Sequence, residues 1–94
     1  MAEYYVYIMT NQRETVLYTG MTNDICRRVL EHREPATYSF CAKYKLRKLV
    51  YVESFDTAFD AICHEKQIKG GSRKKKELLI ERQNPAWKDL FDDL

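Results

Sequence analysis

Cysteine is too sparse and too scattered in this chain to organise a fold: Cys26, Cys41 and Cys63 are odd in number, and no two stand in a CxxC arrangement. That pattern excludes a disulfide framework, suggests no zinc site, and leads to the expectation of a reducing, cytoplasmic setting. No apolar run approaches the about 18 residues that a membrane helix needs. The opening MAEYYVYIMT, with Glu3 among interleaved tyrosines, is wrong for a signal peptide. No membrane partner is expected, and the chain reads as unprocessed. Repeats, linkers and low-complexity stretches are missing too. Acids are missing locally: Lys66, Lys69, Arg73, Lys74, Lys75 and Lys76 follow one another without one, as do Lys43, Lys45, Arg47 and Lys48, while Asp89, Asp92 and Asp93 crowd the other end. A formal net charge of +2 is too small to imply a polyanionic partner, yet this separation leaves room for a basic face.

What is present points to one domain over residues 1–94, with 45% hydrophobic and 32% charged residues arguing against disorder. Tyrosine is unusually frequent, with seven copies. Residues 3–9, EYYVYIM, favour a strand with Tyr5, Tyr7 and Met9 on one face and Tyr4, Val6 and Ile8 on the other. The polar link TNQRET leads to VLYTG, a second strand ended by Gly20, so the two read as a hairpin. If Tyr7 faces Tyr18, both phenols leave the same side of the sheet. Thr22 or Asn23 can cap a helix running to about His32, with Asp24 in its first turn. Pro35 opens an aperiodic stretch with room for a short helical turn. A third strand is expected around Leu46–Glu53. Asp56 or Thr57 then caps a helix that stops at Gly70-Gly71, with Asp60 as its capping-box acid. Ser72 caps RKKKELLIERQ, which must end before Asn84-Pro85. The order ββαβαα describes an α+β domain, a three-stranded antiparallel sheet flanked by helices.

Three features stand out. On a helical wheel Ala58, Ala61, Ile62 and Ile68 surround Glu65, which places a carboxylate on the apolar stripe. Burying it costs about 2 kcal/mol or more unless it is paired, hydrogen-bonded or bound to a cation. An ion pair with an arginine, or a place at the stripe's solvent edge, competes with a metal ligand, since Mg²⁺ often takes one carboxylate and fills its remaining positions with water and phosphate. Second, Arg73 to Lys76 occupy a helix start whose dipole disfavours cations, a choice that bound phosphate would turn to advantage and that surface solubility explains equally well. Third, Arg28 and His32 share an edge of the helix after Gly20, beside Ile25, Cys26, Val29 and Leu30. There they can reach one ligand, or form a weak ladder with Asp24.

Together these residues resemble the GIY-YIG endonuclease superfamily, in particular its small stand-alone bacterial YhbQ-like group. Tyr5-Val6-Tyr7 stands where the family has GIY, Tyr18-Thr19-Gly20 where it has YIG, and Arg28 lies eight residues beyond Gly20. Glu65 in HEKQIK, His32, and Asn84 in NPAWKDL match further positions. Tyr5 replaces the first glycine, Thr19 the isoleucine, and FCAKY carries Cys41 and Ala42 where a threonine is more usual, while Lys43 and Tyr44 match.

The resemblance implies a GIY-YIG-type hydrolase, a metal-dependent endonuclease that cuts phosphodiester bonds with low sequence specificity. Its substrate would be DNA, with RNA as the alternative, and it would act in repair or recombination. One Mg²⁺ or Mn²⁺ would sit on Glu65. Tyr7 would take the proton from water, Tyr18 orient the water or phosphate, Arg28 pair with a phosphate oxygen, and His32 support Tyr7 or contact phosphate. Lys43, Tyr44, Lys66, Lys69, Arg73, Lys74 and Asn84 would contact nucleic acid. A protein partner would supply targeting to a monomer or weak dimer. The competing readings are a catalytically inactive nucleic-acid-binding module of the same fold and a protein-interaction domain.

Overall fold

Alternation of large apolar side chains makes the first strand, β1 (Tyr4–Thr10), the centre of the molecule: Val6, Ile8 and Met9 are fully buried and Tyr7 nearly so. In the computed structural model, which describes residues 3–34 and 39–94, β1 is flanked by β2 (Leu17–Thr22) and β3 (Lys48–Phe55) in an antiparallel sheet of order β2-β1-β3. The helices are α1 (Ile25–Arg33), α2 (Phe40–Lys43), α3 (Ala58–Gly70) and α4 (Arg73–Gln83), and a 3₁₀ turn covers Leu90–Asp93. The expected α+β order is therefore correct. The short α2 realises the expected helical turn, and the 3₁₀ turn is an addition. Residues 35–38, where Pro35 opens the aperiodic stretch, lie outside the described residues.

Period-2 alternation along β1 divides the core. Val6 and Ile8 join Val50, Tyr51, Ala61, Ile68 and Ile80 under α3 and α4. Tyr7 and Met9 join Ile25, Val29, Cys41, Leu46 and Leu49 under α1 and α2, with Leu90 and Phe91 packed at the margin. Both sheet faces are thus covered by helices.

Caps set the helix limits. The Thr57 side chain accepts from the Asp60 N–H at 3.1 Å, and Ser72 accepts from Lys75 at 3.2 Å, both as expected. At α1 the cap is Asp24, which accepts from Arg27 N–H at 3.1 Å, while Thr22 belongs to β2 and its hydroxyl holds the Asp24 N–H at 3.1 Å. Neither expected cap, Thr22 or Asn23, starts the helix, because β2 pairing continues through Thr22 and the turn that follows brings Asp24 to the cap position.

The free edge of β3 is sealed by side chains. Gln83 donates to Val52 O at 2.7 Å and accepts its N–H at 3.0 Å; Asn84 donates to Val50 O at 3.2 Å, and Asp89 accepts the Leu49 N–H at 3.2 Å. An unpaired edge would otherwise offer a template for association. No described helix is long and apolar enough to cross a membrane.

Candidate active site

Gly20 does not end β2. It sits inside the strand, directly opposite Tyr7, and Tyr18 lies opposite Met9. Because Tyr7, Met9, Tyr18 and Gly20 share one face, the two phenols are diagonal neighbours, with ring centroids 6.4 Å apart. A Cβ on Gly20 would stand 2.5 Å from the Tyr7 hydroxyl and 2.6 Å from the ring carbon bearing it. Glycine therefore opens the space over which the Tyr7 phenol crosses β2.

The phenol ends on His32, with Tyr7 Oη 2.8 Å from His32 Nε2 in a buried hydrogen bond. Tyr18 meets the same imidazole edge-on at 5.5 Å between centroids. His32 gets there by lying on the buried face of α1 with Val29 and Ile25, one and two turns behind it. Cys26 and Leu30, expected beside them, face outward, Leu30 being 55% exposed. The expected ladder does not form either: Asp24 caps the helix, and Arg28 pairs with Glu31 at 3.7 Å. The stripe follows Ile25, Val29 and His32 because Tyr7 supplies an otherwise buried imidazole with a partner, which hydropathy alone does not register.

Charges around this pair set its protonation. Burial, then Tyr18, pushes the Tyr7 phenol well above its ordinary value; the Glu65 carboxylate adds to this and the Arg28 guanidinium opposes it. Burial and then Arg28 lower the His32 pKa. The phenol stays protonated and the imidazole neutral near neutrality, so in the Nδ1–H tautomer Tyr7 donates to Nε2. Arg28 and Glu65 both act on Tyr7, which brings four of the five predicted catalytic residues into one electrostatic neighbourhood, and Tyr18 completes the set.

Glu65 is not in the centre of an apolar stripe. Ala61 and Ile68 are buried, Ile62 is 39% exposed, and the Glu65 side chain keeps 20% of its surface, with Lys69 Nζ 3.4 Å from its carboxylate. Its compensating partner is a lysine one turn on rather than an arginine. Among the described residues no three His, Cys, Asp or Glu side chains gather as a metal cage. A single, partly solvated carboxylate suits a hydrated Mg²⁺ or Mn²⁺, which keeps most of its waters, and Lys69 would compete for the same oxygens.

The remaining predicted contacts separate. Lys43, Tyr44, Lys66 and Lys74 are exposed, and Lys43 Nζ lies 5.4 Å from the Tyr44 ring centroid. Arg73 is not free for phosphate: its guanidinium donates to Glu14 O at 2.6 Å, Thr15 O at 2.8 Å and Glu77 at 2.9 Å, clamping the β1–β2 loop to α4. Asn84 is 3% exposed, and its amide is spent on Val50 O, Lys88 O and Lys88 N–H. It lies at the β3 edge, across the sheet from Tyr18 on β2. Both residues look reactive in sequence because their acceptors are backbone atoms, which no sequence pattern reveals. Phe40 is the residue the sequence reading passed over. It stacks on Tyr18 at 5.8 Å with rings inclined by 27°, and its i, i+4 spacing to Tyr44 was the available signal.

Cys41 is fully buried in the same cluster as Tyr7, and burial pushes its thiol up to about 12.

A family model described as the GIY-YIG catalytic domain matches residues 3–78. A UPF0213 protein of Syntrophus aciditrophicus is 42% identical over 89 residues, covering 90% of this chain and 97% of that one. A UPF0213 protein of Natronomonas pharaonis is 39% identical over 79 residues, covering 84% and 92%. The solution NMR structure of a UPF0213 protein from Bacillus halodurans is similar with a TM-score of 0.57 and 29% identity, over 93% of this chain and 92% of that one. The match begins before β1 and runs through Tyr7, Tyr18, Arg28, His32 and Glu65 to within α4, so the chain belongs to the GIY-YIG family, alongside the UPF0213 proteins.

Proposed function

We infer that this protein is a metal-dependent phosphodiesterase that cuts nucleic acid, DNA in the first instance, with little sequence preference. The observation that carries the reading is the buried Tyr7–His32 hydrogen bond of 2.8 Å, framed by Tyr18 and held between the opposite charges of Arg28 and Glu65. A raised phenol pKa makes Tyr7 a poor base by prior ionisation, but the neutral imidazole beside it makes it an effective relay. As water attacks phosphorus, one of its protons passes to Tyr7 Oη while the phenol's own proton passes to His32 Nε2. The water oxygen becomes bonded to phosphorus, the P–O bond to the leaving oxygen breaks with its electron pair staying on that oxygen, and the leaving oxygen takes a proton from solvent to depart as the alcohol. Arg28 faces the phosphoryl oxygens with paired N–H donors. Tyr18 orients the phosphate or the water by its hydroxyl. A divalent ion on Glu65 would supply neutralisation of the charge that develops on the phosphoryl and leaving oxygens.

Incubation with plasmid, branched and single-stranded DNA in Mg²⁺ or Mn²⁺ tests this. Cleavage is expected from the wild-type protein, abolished by EDTA, and reduced about a hundredfold or more in Glu65→Ala and Arg28→Ala with unfolding midpoints unchanged. No cleavage of any substrate would sink the hydrolase reading. The Glu65–Lys69 ion pair favours one alternative, a binding module in which Glu65 is structural; that module would bind DNA in a salt-dependent way that Glu65→Ala leaves unchanged.

A further inference from the structure

Beyond Tyr18 the aromatic surface continues away from the catalytic residues. Phe40 stacks on Tyr18, and Tyr44 follows at 4.6 Å between centroids, inclined by 45°. Phe40 is 47% and Tyr44 45% exposed, although Phe40 opens α2 and Tyr44 caps its end, with Cys41 and Leu46 beside them fully buried. Tyr44 then forms one wall of an open cavity of about 460 Å³ between the β1–β2 loop and the α2–β3 turn, lined also by Asn11, Gln12, Arg13, Lys45, Arg47 and Lys48. No acid lines it. Lys48 is neutralised by Glu14 at 2.7 Å, whereas Arg13, Lys45 and Arg47 are exposed. Lys45 holds a left-handed backbone with φ of 58°, which turns the chain from α2 so that Leu46 enters the core and Lys45 stays on the cavity side.

We propose that this row and cavity form a strand-binding subsite for unpaired nucleic acid: the half-exposed rings of Phe40 and Tyr44 stack bases next to the scissile phosphate, and Arg13, Lys45 and Arg47 take a phosphate further along the same strand. The proposal rests on the nucleic-acid reading of the neighbouring site and narrows it to a substrate class. Bases in a duplex have their faces covered by neighbours and present only edges, so only an unstacked base can cover these two rings. The cations with no acid among them match a phosphate backbone. The ring order from Tyr18 to Phe40 to Tyr44 gives the strand one path from the catalytic residues to the cavity.

Fluorescence anisotropy in EDTA, where no hydrolysis occurs, reads binding separately from cutting. The probes are a labelled single strand, the same sequence as a blunt duplex, and a strand of the same phosphates with abasic sugars. Wild-type protein is expected to bind the single strand about tenfold or more tighter than either the duplex or the abasic strand. Tyr44→Ala and Phe40→Leu are expected to erase most of that preference. Lys45→Asn, which suits the left-handed backbone, together with Arg47→Ala, is expected to weaken the base-bearing and abasic strands alike. Equal affinity for the three probes, absence of binding to all of them, or full preference in Tyr44→Ala and Phe40→Leu would overturn the proposal. Because the first comparison uses wild-type protein, a misfolded variant cannot decide it. A protein that prefers the base-bearing strand yet cuts nothing supports the subsite and overturns only the hydrolase reading. One that cuts DNA but binds all probes equally overturns only the subsite.

Discussion

At Gly20 one missing methyl group decides whether the Tyr7 phenol can reach His32. Tyr7 is buried and hydrogen-bonded, so it cannot swing clear of a Cβ placed 2.5 Å from its hydroxyl. Gly20→Ala is expected to cost about 1–3 kcal/mol of stability, read from urea denaturation, and to lower the cleavage rate further than Tyr18→Phe does. The relay adds a pH signature. The fold favours neutral His32, so its folded pKa lies below the unfolded value. The stability it contributes is complete above about 6.5 and is lost as pH falls through the depressed folded value. The acid limb of the rate profile is expected below about 6.5 for the same reason, and Tyr7→Phe and His32→Gln should each lower the rate about a hundredfold. An acid limb above the ordinary histidine range would remove His32 from the relay. The hairpin made Tyr7 and Tyr18 candidates for one sheet face and the helix period put Arg28 on an edge with His32, while their sharing one site was implied by the family resemblance. The burial of His32 was not legible, because in sequence it reads as a charged edge, and only the partner phenol explains it.

Among the elements, α4 and the segment after it do less for the site than for the sheet. Gln83, Asn84 and Asp89 complete the β3 ladder by side chains, in place of a fourth strand. Asn84→Ala removes the partners of buried backbone groups and is expected to lower stability by about 1–3 kcal/mol while leaving DNA affinity unchanged. A drop in affinity at an unchanged urea midpoint would return Asn84 to the nucleic-acid surface. The caps at Thr57 and Ser72 could be read in advance because capping is local chemistry. The clamp of Arg73 on Glu14 O and Thr15 O could not, since it joins residues more than fifty positions apart.

For the whole molecule, the near-neutral total charge conceals its distribution. Arg13, Lys43, Lys45 and Arg47 gather around the Tyr44 side, while Arg33 is tied to Asp89 at 2.5 Å and Lys48 to Glu14. Affinity for a single strand is expected to fall linearly on a log–log plot against salt, and removing Lys43 or Arg47 should flatten the slope by about 0.7 each. Anisotropy titrations across a salt series measure this. Unchanged slopes would place the strand elsewhere, with Lys66 and Lys74 on the helical side the next cations to test.

By itself the sequence determined the alternating faces of β1, the caps at Thr57 and Ser72, the antiparallel α+β order and the residue types that hydrolysis needs, because each is carried by local pattern. Tertiary structure decided which of those residues meet. It passed the Tyr7 phenol over Gly20 to His32, left Glu65 partly solvated beside the Tyr7 site, spent Arg73 and Asn84 on backbone carbonyls, and brought Tyr18 against Phe40 and Tyr44. The physical reason is that a hydrogen bond or a stacked ring depends on distance through space, and sheet register and helix packing set those distances for residues far apart in the chain.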